Sequence, residues 1–419
     1  FLVLKNGIVE LDEFASFCMT RLKLLKITVG SDTDAYLLFE TLNDRGLDLS
    51  ISDLVKNRLL VACDGHEAKK NEILSKWSDF TEKLQRSRFK THDFLRFYWC
   101  AFHKNCTKKE LYKEIRSYLE NEDAVDVIDK WNQSADFFCI LTDKDFKFPN
   151  SALVDGSTDC TYAELNTLGY SVYLPLFLKL NAERPELLES ISKITLSYLF
   201  RVITVRGFSA GRAEERFNKA IEALRDGETE GKNIMASFFN DPESVDELFS
   251  DRIQKLKFED NKIARYFLSK IHSYDRGGGH PLNSTVHLEH ILPQAKTAWP
   301  SFKCGDRSRD DWVYNIGNMT LLEEGINKSM KANPFVQKVN RFRQRTSANE
   351  SERTSIPMTY KIYEAYRSEN RDWDRTWIMQ RSKKFAEKAT SIWQLDVNIS
   401  GGSRAVTQEY SDVDNSEQI

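Results

Sequence analysis

The hydrophobic and polar positions along this chain follow a helical period over most of its length. Between about residues 61 and 250, apolar residues recur at intervals of three and four, as in Trp77, Phe80 and Leu84. No sustained alternation of polar and apolar residues interrupts this pattern, so the stretch predicts helix after helix around an aromatic core. The apolar run from Leu168 to Leu180 predicts one buried helix within it.

The C-terminal third has a different pattern, in which short strands precede helices. Residues Thr285 to Ile291 alternate and include β-branched side chains, which predicts a strand. Asn318 to Leu322 predict a second short strand. Ile326 to Val339 predict a helix that Pro334 splits or ends. A further helix is expected from Trp373 to Trp393.

The first sixty residues predict two helices around a turn. Residues 35–42 have the helical pattern, and Asn-Asp-Arg-Gly at 43–46 breaks it. Ser50 then precedes residues 51–60 as an N-cap, with an acid three residues on. The tail at 401–419 is polar and is expected to be flexible. The fold class predicted from the whole pattern is mostly α.

Charge is unevenly distributed, although the net charge is only −3. Residues 251–400 contain 26 Lys and Arg against 18 Asp and Glu, whereas residues 1–250 contain 33 against 41. The excess of positive charge suits a polyanionic partner, because phosphate contacts supply most of the non-specific affinity for nucleic acids. Chance fluctuation in a highly charged protein is the alternative explanation.

Cysteine usage and hydropathy exclude several classes of protein. The seven cysteines fall singly, with no C-x-x-C pair, which disfavours a zinc knuckle or a disulfide framework and suits a reducing cytoplasm. No apolar run approaches the ~20 residues that a membrane span needs, so no membrane partner is expected. Phe1 to Leu4 lack the basic leader of a signal peptide, and the missing initial Met suggests that sequence precedes residue 1.

Candidate chemistry concentrates at the end of the first predicted strand, in Glu289 and His290. A strand, a loop, a strand and a helix, with Glu-His closing the first strand, is the plan of a ββα-metal nuclease. Phosphodiester hydrolysis needs a cation held by hard oxygen ligands, and a water activated by a base such as imidazole, whose pKa lies near working pH. Adjacent strand residues point to opposite faces, so the two side chains can serve separate tasks only if the strand ends or bends there. Pro293 favours such an ending.

Two asparagines extend this hypothesis. Asn318 could fix the histidine ring through its amide or its backbone carbonyl. Asn327, at the start of the predicted helix, could offer its amide oxygen as a second metal ligand. Lys328 or Lys331 could contact the scissile phosphate or the leaving group. The spacing of the asparagines favours a reaction site over the alternative of a purely structural Glu-His pair.

The same region carries a resemblance to a known family. The segments that carry it are His-Leu-Glu-His-Ile-Leu-Pro-Gln at 287–294, Trp299, Asn-Ile-Gly-Asn-Met-Thr-Leu-Leu at 315–322, Asn327-Lys328 and Asn333-Pro334-Phe335. They resemble the HNH domain of unknown function 1524, the C-terminal half of GmrSD-type, modification-dependent restriction enzymes. The resemblance implies that Glu289 and Asn327 bind the metal. It also implies that His290 is the general base and that Asn318 orients it.

The N-terminal part carries a second resemblance. Phe-Glu-Thr-Leu-Asn-Asp-Arg-Gly at 39–46, followed by Leu49-Ser50, is similar to the last part of domain of unknown function 262, the ParB-like nucleotidase half of the same enzymes. That similarity implies that Glu40, Asn43 and Arg45 help to hold nucleotide phosphates or their magnesium. A structural turn, with Arg45 paired to an acid, is the alternative. The family's Asp-Gly-Gln-Gln-Arg box is absent, which puts NTPase activity in doubt.

The remaining histidine and basic residues of the C-terminal third leave alternatives open. His287 competes with His290 for the role of base, and is otherwise a metal-supporting residue, a DNA phosphate contact or a plain surface residue. Four basic residues are at helical or near-helical spacing and could follow a DNA backbone or form a solvated helix face. They are Lys338, Arg341, Arg343 and Arg345.

These patterns and resemblances together predict four regions. They are a remnant of a ParB-like domain at 1–60, an α-helical connector at 61–250, a ββα-metal (HNH) nuclease domain surrounded by helices at 251–400, and the tail. The resemblance implies a DNA endonuclease of a prokaryotic anti-phage restriction system that uses Mg²⁺ or Mn²⁺ and acts on modified phage DNA. GTP, ATP or CTP is the nucleotide expected at the N-terminal part, and a homo-oligomer is compatible with the sequence.

Two functions of other classes compete with that expectation. One is a nucleotide-regulated DNA-binding protein whose HNH fold does not cleave. The other is a scaffold for RNA or protein built on the helical connector. Both would leave the combination of Glu289, His290, Asn318 and Asn327 without a purpose.

Overall fold

The predicted mostly α fold is confirmed over the part of the chain that the structure, a computed structural model, describes. That part comprises residues 15–17, 19–21, 51–63, 65–148, 157–279, 282, 286–330, 332–347 and 349–395. The helix and turn predicted at 35–46 and the tail at 401–419 lie outside it. No helix among the described residues combines the length and apolar character that crossing a membrane requires.

The α-helices from residue 51 onward account for most of the described chain. They are α1 Ile51–Val61, α2 Glu67–Leu84, α3 Thr91–Phe102, α4 Lys108–Tyr118, α5 Ala124–Thr142, α6 Thr158–Leu168, α7 Leu174–Glu183, α8 Leu188–Tyr198, α9 Ala210–Arg225, α10 Gly231–Ile234, α11 Ala236–Phe239, α12 Asp246–Lys255, α13 Asn261–Asp275, α14 Arg309–Val313, α15 Glu324–Met330, α16 Phe335–Arg341, α17 Pro357–Glu369 and α18 Arg375–Ile392. A π-helical segment, Leu199–Val205, follows α8 directly.

The chain divides into two compact units. One consists of Phe1–Trp77 and Tyr112–Asp129, and the other of Ser78–Leu111 and Lys130–Ile419. The second unit contains both strands and every described residue of the predicted nuclease site.

The aromatic residues of the helical region pack against one another, as predicted. Phe94 meets Phe80 edge-on with ring centres 5.2 Å apart, and meets Phe138 in the same way at 5.1 Å. All three side chains are fully buried. Edge-to-face pairs of this kind stabilise a core beyond the burial of their area.

The single helix predicted from Leu168 to Leu180 is wrong, although the segment is buried. Helix α6 ends at Leu168 because Gly169 adopts a left-handed conformation with φ of 83°, and its N–H caps the helix. Helix α7 then begins at Leu174, with Pro175 in its first turn, where a missing N–H costs nothing. Because most of the run is apolar, its pattern did not reveal that one helix ends and another begins within it.

One core crosses the predicted boundary at residue 250. Phe200, in the π-helical segment, stacks on Trp393 with ring centres 4.2 Å apart, and Tyr266 of α13 packs edge-on to Phe200 at 5.5 Å. Arg201 donates to the carbonyl oxygens of Trp393 and Ser244. The C-terminal helix α18 is therefore anchored to the helical region by apolar stacking and by a buried guanidinium.

Both predicted strands are confirmed, and they form a two-stranded antiparallel sheet. Strand β1 is Val286–His290 and strand β2 is Met319–Glu323. Their register pairs Glu289 with Thr320 and His290 with Met319. Helix α15 follows β2 without a gap. The predicted split at Pro334 is also confirmed, since α15 ends before it and α16 begins directly after it.

An apolar cluster supports the end of this sheet. It includes Ile291 and Leu292 after β1, Leu322 of β2, Ile326 of α15 and Ile378 of α18, all buried. The residues that follow His290 are thus fixed by packing, which holds the end of β1 in place.

Candidate functional site

The end of β1 brings Glu289 and His290 into a buried setting. The strand ends at His290, which allows the two side chains to serve separate tasks. The next residue, Ile291, donates its N–H to the backbone carbonyl of Asn318 at 3.0 Å. Glu289 is 8% exposed and His290 is 9% exposed. Both carry polar groups that need partners in such an environment.

Glu289 finds one partner in Lys338, a residue of α16. The ammonium Nζ of Lys338 lies 2.5 Å from Oε1 of Glu289 and donates to the backbone carbonyl of His290 at 2.9 Å. The Lys338 side chain is only 1% exposed. Burial raises the pKa of Glu289 and lowers the pKa of Lys338, while the attraction between the two opposes both changes.

The prediction that Lys338 belongs to an exposed basic run is therefore wrong. Phe335, Val339 and Phe342 are all buried, and Lys338 lies on the same side of the helix as these residues. These apolar residues lie three positions before Lys338 and one and four positions after it, which is the spacing of a buried helix face. The spacing therefore favoured burial of Lys338, but its charge had suggested exposure.

The His290 ring has an unused nitrogen. Among the described residues no group bonds Nε2, although the atom is buried. Tyr314 packs edge-on to the ring, with centres 5.9 Å apart. Burial, and then the positive charge of Lys338, lower the pKa of His290 to about 4. This value lies below the one an exposed imidazole has, so the His290 ring is neutral at pH 7.

The Asn318 side chain is used by the backbone around the site. Its amide nitrogen donates to the carbonyl oxygens of Leu292 at 3.1 Å and Val313 at 3.0 Å. Its Oδ1 accepts from the N–H of Leu292 at 2.8 Å and from Nε1 of Trp373 at 3.0 Å. These bonds fix the segment that follows His290. None of these four partners of the Asn318 amide is the His290 ring.

Asn327 has a free acceptor beside β1. Its amide nitrogen lies 3.5 Å from the carbonyl of Leu288, a weak hydrogen bond. Its Oδ1 is buried and bonds no group in the described part of the chain. The neighbouring Lys328 is exposed and lies 2.5 Å from Glu324, and Lys331 falls outside the described residues.

The other predicted nucleic-acid contacts are dispersed around α16. Arg341 forms an ion pair with Glu352, and Arg343 is exposed and lies over the Tyr363 ring at 5.3 Å. Arg345 donates to the backbone carbonyl of Arg353 at 3.0 Å. His287 is half-buried on β1. The predicted nucleotide-binding residues Glu40, Asn43 and Arg45 lie outside the described residues.

Two side chains of the candidate site carry oxygen atoms of the kinds that bind small hard cations. Glu289 supplies a carboxylate, and Oδ1 of Asn327 is an amide oxygen that no described group occupies. Oxygen donors of these kinds are what Mg²⁺ and Mn²⁺ prefer. The ion pair with Lys338 uses Oε1 of Glu289 and competes with a cation there. No group of three or more His, Cys, Asp and Glu side chains in the described part of the chain is placed to hold a metal.

The protein is therefore mostly helical, with Glu289 and His290 buried at the end of one strand of a two-stranded sheet. Helix α15 follows the other strand directly. Comparison with known families gives a more specific description. Residues 243–388 match the family model of GmrSD restriction endonucleases, C-terminal domain. The matched segment contains β1, β2, and every residue of the candidate site from Glu289 to Lys338. A search of curated proteins found no match.

Proposed function

We propose that this protein is a divalent-metal-dependent DNA endonuclease of a restriction system. The observation that carries the proposal is a pair of buried atoms without partners in the described part of the chain, Nε2 of His290 and Oδ1 of Asn327. Both belong to the segment that matches the endonuclease family, and Glu289 precedes His290 directly. Unsatisfied buried polar atoms are uncommon in folded proteins, and a catalytic role or a bound ion is one of the reasons for them.

Glu289 and Asn327 would hold Mg²⁺ or Mn²⁺ through their side-chain oxygens. The cation, when bound, supplies stabilisation of the negative charge that develops on the leaving oxygen. Lys338 would keep its bond to the His290 carbonyl, which fixes the end of β1 while Glu289 faces the cation.

His290 would act as the general base. Its ring is neutral at pH 7, so Nε2 can accept a proton from the attacking water. The negative charge of a bound phosphodiester favours the protonated ring and would raise the pKa from its value in the free protein. Asn318 would act indirectly, since its amide holds the backbone after His290 and leaves the ring to the substrate.

Lys328 would contact the scissile phosphate, since its side chain is exposed one residue beyond Asn327. Lys331, His287 and the arginines Arg341, Arg343 and Arg345 would contribute to affinity for DNA. The family resemblance favours modified phage DNA as the substrate and GTP, ATP or CTP as an effector at the N-terminal part. A homo-oligomer in the cytoplasm completes the proposal.

Cleavage of phage DNA by the full chain tests this function. Modified and unmodified genomic DNA would be incubated with Mg²⁺ or Mn²⁺, with and without GTP or ATP. We expect cleavage of modified DNA that chelation of the metal stops and that Asn327→Ala reduces about 10- to 100-fold or more. Intact DNA of both kinds with either metal, in the presence and absence of nucleotide, would count against an endonuclease.

A DNA-binding protein that does not cleave is the second candidate. The observation that favours it is the ion pair between Lys338 and Glu289, which occupies one oxygen of the carboxylate expected to bind the metal. In that case the protein binds DNA, and neither metal produces cleavage of modified or unmodified DNA.

A further inference from the structure

A cavity of about 790 Å³ adjoins the candidate site and has no part in the reaction proposed above. Its aromatic lining comes from separate segments of the chain. Trp299 and Phe302 follow β1 and are half-buried, whereas Phe335 of α16 and Trp373, just before α18, are almost completely buried. The lining thus combines two almost completely buried aromatic side chains with two that retain exposed surface.

Two unpaired cations also line this cavity. Lys303 and Arg375 are exposed, and among the described residues neither has a hydrogen bond or an ion pair. The cavity also includes Asp372 and Asp374, but both carboxylates already accept hydrogen bonds. Asp374 accepts from the N–H of Trp377 at 3.0 Å and caps α18, and Asp372 accepts from the N–H of Trp373 at 2.8 Å. Asp374 also pairs with Arg371 at 3.8 Å, so two cations and the carboxylate of Asp372 line the cavity without an ion pair in the described part of the chain.

The cavity is connected to the candidate site through two of its aromatic side chains. Nζ of Lys338 lies 5.9 Å from the centre of the Trp299 ring, and the same ammonium bonds Glu289. Trp373 donates from Nε1 to Asn318. Trp299 is also held in an uncommon backbone conformation, with φ of 54°, and its Nε1 donates to the carbonyl of Asn333 at 2.9 Å. The cavity lining is thus linked to Glu289 through Trp299 and Lys338.

We propose that this cavity binds an unstacked nucleobase of the DNA strand, beside the nucleotide at the candidate site. Aromatic side chains stack on any base, because every base has a planar π-face. Lys303 and Arg375 complement the phosphates on either side of that base. The identity of the strand rests on the proposed function, whereas the aromatic lining and the two cations without ion pairs do not.

Binding to two strands of equal length tests the base contact directly. The full chain, with the metal chelated, would be titrated with a 12-nucleotide thymidine strand and with a matched abasic strand that retains only sugar and phosphate. We expect the wild type to prefer the base-bearing strand by about 5- to 150-fold, the range for one stacked base. Phe302→Leu keeps an apolar side chain but removes the π-face, and should lose most of that preference.

Charge variants separate stacking from phosphate contact. Lys303→Gln should weaken binding of both strands by the same factor and leave the preference unchanged. The exposed Lys384, which is absent from the cavity lining, provides a matched control in Lys384→Gln, which should change neither.

Three results would overturn the inference. They are equal binding of the two strands by the wild type, an undiminished preference in a folded Phe302→Leu protein, and saturation by GTP or ATP alone that excludes the strand. Because cleavage is blocked in this assay, failure of the endonuclease proposal leaves the expected preference intact. Likewise, a wild type that cuts DNA but shows no preference overturns only the inference.

Discussion

The ion pair between Glu289 and Lys338 is the residue-scale feature on which the site depends most. Removing two charges from water is costly, and their attraction in a buried setting offsets that cost only when both are present. Lys338 also bonds the carbonyl of His290, so a single ammonium fixes the acid and the end of β1 together. The pair therefore couples the stability of this region to the geometry of the candidate site.

Replacing Lys338 with methionine should destabilise the protein by about 3 kcal/mol at neutral pH, because Glu289 is left buried without a cation. Denaturant unfolding measures the change. The double variant Lys338→Met with Glu289→Gln should recover part of the loss, since no buried charge remains. Lys361→Met, at an exposed lysine, is the control and should stay within about 0.5 kcal/mol of the wild type. A Lys338→Met protein as stable as that control would contradict the account of the pair.

At the scale of elements, the contact between the turn before β2 and helix α18 requires a glycine. A Cβ built on Gly317 would lie 2.0 Å from the carbonyl oxygen of Ile378 and 2.9 Å from the backbone nitrogen of Ser382. Neither neighbour is the end of a flexible side chain, so the backbones would have to separate. Arg381 of α18 also donates to the carbonyl oxygens of Gly317 and Met319, which ties the helix to β2.

Gly317→Ala should therefore destabilise the protein by about 3 kcal/mol, the upper part of the range for overpacking. Gly325→Ala is the matched control, because a Cβ there meets nothing within 4 Å and the position is helical. That variant should be neutral or more stable by up to about 1 kcal/mol. Chemical denaturation distinguishes the two variants, and equal effects would show that the close approach does not constrain α18.

A buried carboxylate joins α8, α9 and the turn at Pro242–Ser244. Asp241 accepts hydrogen bonds from Tyr198 at 2.7 Å, Arg212 at 2.7 Å and Arg216 at 2.9 Å. Burial alone would raise the pKa of Asp241, but the bonds from Arg212 and Tyr198 and the other charges outweigh it and lower the pKa to about 2. The folded protein thus favours the charged form more than the unfolded chain does.

Because the pKa of Asp241 is lowered, the free energy of unfolding of the protein should depend on pH in the acidic range. The contribution of Asp241 is fully present above about pH 4 and is lost as the pH falls towards 2, because the unfolded chain takes up the proton first. The wild type should lose on the order of 2 kcal/mol more than Asp241→Asn between pH 5 and pH 2. Urea unfolding across this range provides the comparison, and identical pH profiles would refute the assignment.

At the scale of the molecule, periodicity predicted the helices and both strands, because their patterns depend on neighbours in sequence. The apolar pattern predicted one helix across Gly169, but the helix ends there because a left-handed glycine caps it. The residues of the candidate site were proposed from spacing and resemblance. The partner of Glu289 was not, because Lys338 reaches it from α16 only after the chain has folded. The cavity could not be predicted from the sequence either, because its lining comes from segments that meet only in the folded protein.

The family match at residues 243–388 and the apolar core describe different extents of the protein. Phe200 and Arg201 lie upstream of the matched segment, and both contact Trp393, downstream of its end. The matched segment is therefore framed by residues on either side that pack against each other. Experiments on the site should use the full chain for this reason.

We propose that His290 activates the water that cleaves DNA, and His287 on the same strand provides the control. Supercoiled DNA shown to be cleaved by the wild type would be incubated with Mg²⁺ or Mn²⁺ and either His290→Ala or His287→Ala, and the cleavage rates compared. We expect His290→Ala to be slower by about 10²- to 10⁴-fold, the contribution of a general base, while His287→Ala stays within several-fold of the wild type. Cleavage by His290→Ala at the wild-type rate would contradict this proposal.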